Sequence, residues 1–557
     1  MRARIRTSGH PRTCPSPGWA RAMGGLAARG LAALLAAVGG LAGCGGSGGG
    51  SGAPYLSLVV RTSGGMVDGQ VGTLSREFFD IPYAAPPVGA LRWAPPRPAA
   101  PWKGLRDATQ PGSVCAQSGT PASGVISTST SENCLVLNVY TPVRASRPLP
   151  VMVWIHGGAY TGGAGSIYDG QRMAAMGHVM VVTINYRLNA FGFLALPSLD
   201  VGGASSGDYG LMDQQAALRW VRANARAFGG DPHRVTIFGE SAGGASVCAQ
   251  MTSPPAFGLF QRAIAESGCL FPALSRASAY RQGAALAAKL GCSDAATAAA
   301  CLRAKPVATI LAAESGMQFW PVVGGPTLPA QPVAAFVAGH YAHVPLLNGT
   351  NRDEGRFFVA LRYDAQSHPL TGPGYLALIR AAYGRHAKAV LAQYPLAQYR
   401  SPDLADAAVF TDSSFACPAL YVDHLAAASG AYGYEFSDPS PPNDFGLHFT
   451  FPLGPAHSTE LQYVFGTIPV LDTRPPFTPG QRTLSDQMIG YWTSFAATGT
   501  PGAGTTLPRW PAFAQAPPRL LNLAPGATAP LAASAFATFH QCSLWASVLL
   551  PTASRTR

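Results

Sequence analysis

Hydrophobic positions along the chain keep no heptad for more than a few turns, and the glycines and prolines scattered among them keep no period of three, which argues against a coiled coil and a collagen-like rod. The local patterns are short. Residues 234 to 238 form a brief run with β-branched side chains that suits a buried strand, and AGGASVCAQM, from Ala242 onward, has the small residues of a tightly packed helix. Upstream, LPVMVWIHGGAY (149 to 160) reads as a strand that ends in a glycine-rich turn. Near the start, residues 31 to 42 are apolar for about a dozen positions, short of the roughly 20 that a membrane-spanning helix needs.

Composition narrows the class. The chain has 557 residues, 47% hydrophobic and only 12% charged, enough apolar material for a large core and too much for intrinsic disorder. The formal charge of +12 is carried almost wholly by arginines scattered along the sequence, with no basic run of five to eight residues. A nucleic-acid binder concentrates such charge in a patch, so no nucleic-acid partner is expected. Six of the arginines fall in the first 43 residues, which hold no acid; without that leader the charge is +6.

Residues 1 to 43 are expected to be a secretory signal, with Met23 a possible true start: Arg29, an apolar stretch and small residues lead up to Cys44. The sequence LAGC (41 to 44) resembles a bacterial lipobox, in which the cysteine receives lipid, and residues 44 to 54 would be the anchor and its Gly/Ser tether, reaching roughly 15–20 Å. An ordinary signal peptide cut nearby is the alternative. The folded body is expected over residues 55 to 551, exported and held at the periplasmic or cell-surface side of a membrane through that lipid alone. Beyond Cys14 and Cys44 the body keeps eight cysteines, an even number that permits up to four disulfides in an oxidising compartment. No CxxC or HExxH occurs, so no metal site is expected.

Between the predicted strand and helix stands Gly239-Glu240-Ser241-Ala242-Gly243. This G-x-S-x-G in a strand–turn–helix setting marks Ser241 as a nucleophile on a sharp elbow. A serine needs a base, an orienting acid and donors for the oxyanion. The turn His156-Gly157-Gly158-Ala159 supplies small residues whose N–H groups, at Gly158 and Ala159, could join that of Ala242 in an oxyanion hole. No G-x-x-x-x-G-K-[ST] follows, which argues against a phosphate loop.

Two longer segments, ENCLVLNVYTP (132 to 142) and FGGDPHRVTIFGESAGG (228 to 244), resemble the signatures of the type-B carboxylesterases, the cholinesterase-like α/β-hydrolases. IPYAAPPVGALRW (81 to 93), INYRLNAFGFL (184 to 194), DQQAALRWVRANARAFGG (213 to 230) and FQRAIAESG (260 to 268) extend the likeness over nearly all of residues 55 to 550. The resemblance implies an α/β-hydrolase fold: a mostly parallel, twisted central sheet with helices on both faces, and helical insertions at 360 to 450 that wall an active-site gorge. Twelve histidines leave the base undecided by spacing; the resemblance picks His457 in LGPAHSTELQYVFG and Glu354 in NGTNRDEGRFF, completing a Ser241, Glu354, His457 triad. His156 would shape the oxyanion loop, His448 would pack or be solvated, and Asp353 would be a solvated or turn-forming neighbour. Glu240 would tune the charge of the site or be a buried structural carboxylate. Arg92 with Glu132 and Arg187 with Asp213 would be structural ion pairs.

By the same resemblance Cys115 pairs with Cys134, Cys292 with Cys301 and Cys417 with Cys542, leaving Cys248 and Cys269 as a possible fourth bridge. The activity implied is hydrolysis of uncharged esters with short to medium acyl chains by a monomer, with no cofactor. A lipase acting on longer-chain glycerides and a catalytically silent adhesion module are the alternatives. The loop between Cys115 and Cys134 has no aromatic residue to receive a quaternary ammonium, so choline esters are not expected. Met317 and Phe319 of MQFWPVV are candidates for the acyl side of the pocket.

Overall fold

A computed structural model describes residues 53–119, 128–200, 205–442, 449–466 and 476–549. The expected signal, Cys44, all but the last two residues of the tether, and His448 lie outside these residues. Among the described residues no helix is long and apolar enough to cross a membrane.

The centre is an eleven-stranded sheet. In chain order its strands are β1 (Gln70–Val71), β2 (Arg76–Pro82), β3 (Val136–Thr141), β4 (Leu149–Ile155), β5 (Met180–Ile184), β6 (Gly230–Glu240), β7 (Arg262–Glu266), β8 (Leu346–Asn351), β9 (Ala431–Phe436), β10 (Arg519–Leu523) and β11 (Ala529–Ala532). In space the order is β11-β10-β9-β8-β7-β6-β4-β5-β3-β2-β1. From β5 across to β10 every neighbour is parallel, and both edges are antiparallel. A short sheet of Val59–Arg61, Met66–Asp68 and Leu105–Asp107 lies apart from it.

Strand β4 shows why this sequence makes a central strand. Each of its seven residues is buried, as expected for a parallel strand covered on both faces. Side chains alternate across a strand, so Val151, Val153 and Ile155 enter one core while Met152 and Trp154 enter another. Helices Tyr209–Asn224 and Ala242–Met251 supply Leu218, Val221 and Val247 to the first. Helix Pro479–Thr498 covers the second with Met488, Trp492 and Phe495. It starts in a capping box, with Thr478 and Gln481 each satisfying the other's backbone N–H.

The segment 360 to 450 is helical as far as Ala426, with helices Gly372–Tyr383, Pro402–Thr411 and Cys417–Ala426. It is not only an insertion, however, because it ends in β9, a buried strand in register with β8. All four disulfides are formed: Cys115–Cys134, Cys248–Cys269, Cys292–Cys301 and Cys417–Cys542. The expected ion pairs are present as well. Arg187 meets Asp213 at 2.7 Å with both side chains buried, and Arg92 Nε donates to Glu132 at 2.7 Å.

Candidate active site

In open parallel sheets, ligands gather at the carboxyl ends of the strands. Here β6 delivers Ser241, β8 leads to Glu354, β4 to the His156 loop, and the connection after β9 carries His457. Four segments far apart in sequence thereby converge at one end of the sheet.

Ser241 stands between β6 and the helix that starts at Ala242, with φ 58° and ψ −123°. A non-glycine residue there is strained, and the packing around it holds it in place. Its N–H donates to Glu266 O at 2.9 Å. A Cβ at either Gly239 or Gly243 would collide with the carbonyl of Ile155. The motif glycines are therefore set by close backbone approach. The loop expected to hold the oxyanion follows β4 with φ 102° at Gly158 and 55° at Ala159. Among the described residues the N–H groups of Gly158 and Ala159 have no backbone acceptor. That of Ala242 opens a helix, where the first N–H groups lack intrahelical partners. The His156 ring is fully buried, stacks on Tyr186 with centroids 4.5 Å apart, and lies 2.9 Å from Gly157 O through Nδ1. Burial pushes its pKa down to about 4, so the ring is neutral and braces the loop.

Glu354 is completely buried. Its Oε1 accepts from Thr350 Oγ1 and Asn351 N–H, both at 2.8 Å, which leaves Oε2 to meet His457 Nδ1 at 2.6 Å. Asp353, its neighbour, turns outward to Arg352 and Arg356 at 3.1 and 3.0 Å. The other nitrogen of His457, Nε2, faces Glu240 Oε1 at 3.1 Å. Among the described residues no hydrogen bond joins the Ser241 hydroxyl to His457; that hydroxyl opens on the cavity beside the ring. Phe358 and Phe415 pack on the imidazole, with centroids 4.7 and 5.1 Å away.

The charges around this histidine are not those of three residues alone. Burial works against the imidazolium, but the carboxylates of Glu240 and Glu354 outweigh it and hold the His457 pKa above its ordinary value. Burial raises Glu240 to about 6, against the pull of His457 and a hydrogen bond from Ser458. Glu266, at the end of β7, is raised to about 8 by burial, although Trp492 Nε1 donates to it at 3.1 Å. Glu460 is also raised, by burial and then by Glu240. Sequence reasoning missed Glu266 and Glu460. Glu460 was visible only as the acid three positions after His457, and Glu266 only as the carboxylate that follows Ala263, Ile264 and Ala265.

Ala159, Ser241 and Ala242 lie on the wall of a cavity of about 1050 Å³. Many aromatic side chains line it, among them Phe271, Trp320, Phe358, Phe410 and Phe415, and its wall also holds Cys417, Cys542 and Trp545. Gln318 and Trp320 line it, not Met317 and Phe319. Phe319 points into the core at 2% exposure, and Met317 packs half-buried against the same core. Alternate residues of an extended segment face opposite ways, so an error of one position exchanges the two pairs.

The sequence profile described as the carboxylesterase family matches residues 56–545. The chain is 38% identical over 479 residues to the para-nitrobenzyl esterase of Bacillus subtilis (strain 168), covering 82% of this chain and 92% of that one. It is 36% identical over 516 residues to a cocaine esterase of Homo sapiens, covering 85% and 87%. Among solved structures, a thermophilic PNB esterase superposes with a TM-score of 0.75 at 34% identity, over 87% of this chain and 99% of that one. With its mostly parallel sheet and the serine elbow at the carboxyl end of that sheet, the chain belongs to the carboxylesterase family and has the α/β-hydrolase fold.

Proposed function

We propose that this serine carboxylesterase works through Ser241, His457 and Glu354. The observation that carries this reading is the buried Glu354–His457 pair, 2.6 Å apart, set beside a strained serine that opens on an apolar cavity. The Ser241 hydroxyl turns onto His457 Nε2, which takes its proton as the oxygen attacks the ester carbonyl. Such contacts tighten when substrate is bound. Glu354 fixes the ring with its proton on Nδ1 and stabilises the imidazolium. The oxyanion is received by the N–H groups of Gly158, Ala159 and Ala242, each donor being worth about 3–4 kcal/mol in related chemistry. The imidazolium returns its proton to the leaving alcohol, and water repeats the sequence on the acyl-enzyme.

The cavity favours uncharged esters with short to medium acyl chains, and its aromatic wall leaves room for a ring on either side of the ester. The relatives named for para-nitrobenzyl and cocaine esters fit that wall. Hydrolysis of p-nitrophenyl butyrate by the wild type and Ser241→Ala tests the reading: the variant should lose at least about a thousandfold in kcat, and equal rates would remove Ser241 from the chemistry. Nitrophenyl esters of rising chain length, with and without an emulsion, separate esterase from lipase. We further propose export and lipid attachment at Cys44, tested by mass analysis of the mature N-terminus in wild type and Cys44→Ser.

A further inference from the structure

Helix Pro402–Thr411 and the π-helical turn Asp412–Ala416 that continues it divide two cavities. Phe410, Ser413 and Phe415 face the ester cavity, while Leu404, Thr411 and Asp412 face a second one of about 540 Å³. The second cavity has no residue in common with the ester cavity, and Ser241 does not line it.

Its charges are unbalanced toward the positive. Arg352 and Arg356 share one carboxylate, Asp353. Across from them, residues 393 to 400 bring Gln393, Gln398, Tyr399 and Arg400 to the wall; Tyr399 lies in the field of Asp412, whereas among the described residues the Arg400 guanidinium has no hydrogen bond or ion pair. His540 also lines the cavity, but its ring is fully engaged by Asp412 at 2.5 Å and Glu435 at 2.8 Å. Arg400 and the half-compensated Arg352–Arg356 pair are therefore the surplus. The rest of the lining is apolar: Leu404, Pro452 and Phe539, the last 62% exposed.

We propose that this cavity is a second ligand site, for a small carboxylate with an apolar body. The guanidinium of Arg400, with those of Arg352 and Arg356, presents planar N–H pairs that match a carboxylate. The carboxylate head lies among these arginines, and the apolar body covers Phe539, Pro452 and Leu404. Ester hydrolysis releases molecules of this class, so the site suits the acid product. That link rests on the proposed function; binding itself does not.

The experiment uses the full chain with Ser241 blocked by diethyl p-nitrophenyl phosphate, and the Arg400 variants separate binding in the second cavity from any that persists in the ester cavity. Peptide mass verifies the block separately, and should labelling fail, Ser241→Trp serves as the host. Octanoate, acetate and inorganic phosphate are titrated by calorimetry. Octanoate should bind at one site per chain, at least tenfold tighter than acetate or phosphate. Arg400→Ala should weaken it about tenfold, and Arg400→Glu more, while p-nitrophenyl butyrate hydrolysis by the unblocked variants is unchanged. No uptake by the blocked chain, or uptake indifferent to both substitutions, overturns the site. Phosphate or acetate binding as tightly as octanoate overturns the apolar half of the assignment.

Discussion

Removing the disulfides pair by pair gives a quantitative test of how this fold is held. The four bridges close 125, 21, 19 and 9 residues, for Cys417–Cys542, Cys248–Cys269, Cys115–Cys134 and Cys292–Cys301. If a bridge acts by restricting the unfolded chain, its contribution grows with the logarithm of the loop. That gives about 4.9 kcal/mol for the longest loop, about 3.3 and 3.2 for the two middle ones and about 2.6 for the shortest. The Cys417→Ser, Cys542→Ser double variant should therefore lose the most stability, and Cys292→Ser, Cys301→Ser the least. Guanidinium unfolding at pH 7, followed by tryptophan fluorescence and by residual esterase activity, measures both. Because Cys417 and Cys542 also line the ester cavity, the first variant should raise KM for bulky aromatic esters while leaving KM for small acetates near the wild-type value. The reasoning is refuted if loss of the nine-residue loop costs as much as loss of the longest, or if KM rises equally for both ester classes.

Glu240→Gln removes one of the two carboxylates that hold the His457 pKa up, so the acid limb of the kcat/KM profile for p-nitrophenyl butyrate should move to lower pH; an unmoved limb would show that Glu354 alone sets it. Burial works against the His540 imidazolium, but the hydrogen bonds its ring donates to Asp412 and then Glu435 overcome that and raise its pKa to about 9. Its stabilisation, about 3 kcal/mol, is full below the unfolded value near 6.5 and is lost as pH rises through 9. His540→Gln should flatten that part of the stability profile, as read by unfolding midpoints at pH 6, 8 and 10. Gly243→Ala should lower kcat at least about a hundredfold, because the new methyl meets the Ile155 carbonyl and displaces the elbow; circular dichroism checks that the chain still folds.

The parts of the site legible in the sequence are those whose cause is local. The strand expected at 234 to 238 is the inner part of Gly230–Glu240, and the helix from Ala242 begins where its small residues begin. Strand, glycines and serine lie within a few positions of one another, so their chemistry shows at that scale. Glu354 and His457 are 103 residues apart, and no spacing joins them; the family resemblance singled them out. The contact of Glu266 with Trp492 spans 226 residues and had no signal at all. The exchange of Met317 and Phe319 for Gln318 and Trp320 has another origin. A short extended stretch has no pattern of its own to fix its phase, which is set by the core that receives Phe319. Strand β9 escaped notice for a related reason: AYGYEF is buried along its whole length, and a run buried on both faces has no alternation to read.

Part of the wall of the ester cavity comes from helix Cys542–Leu549, joined to residue 417 by a covalent tie. A polypeptide still being synthesised thus possesses Ser241 some three hundred positions before it possesses every wall of the cavity that Ser241 lines. Until residues 542 to 549 have docked, Ser241 faces an unfinished binding surface. Docking of that helix, rather than emergence of residue 241, is then the moment at which the enzyme can discriminate among esters.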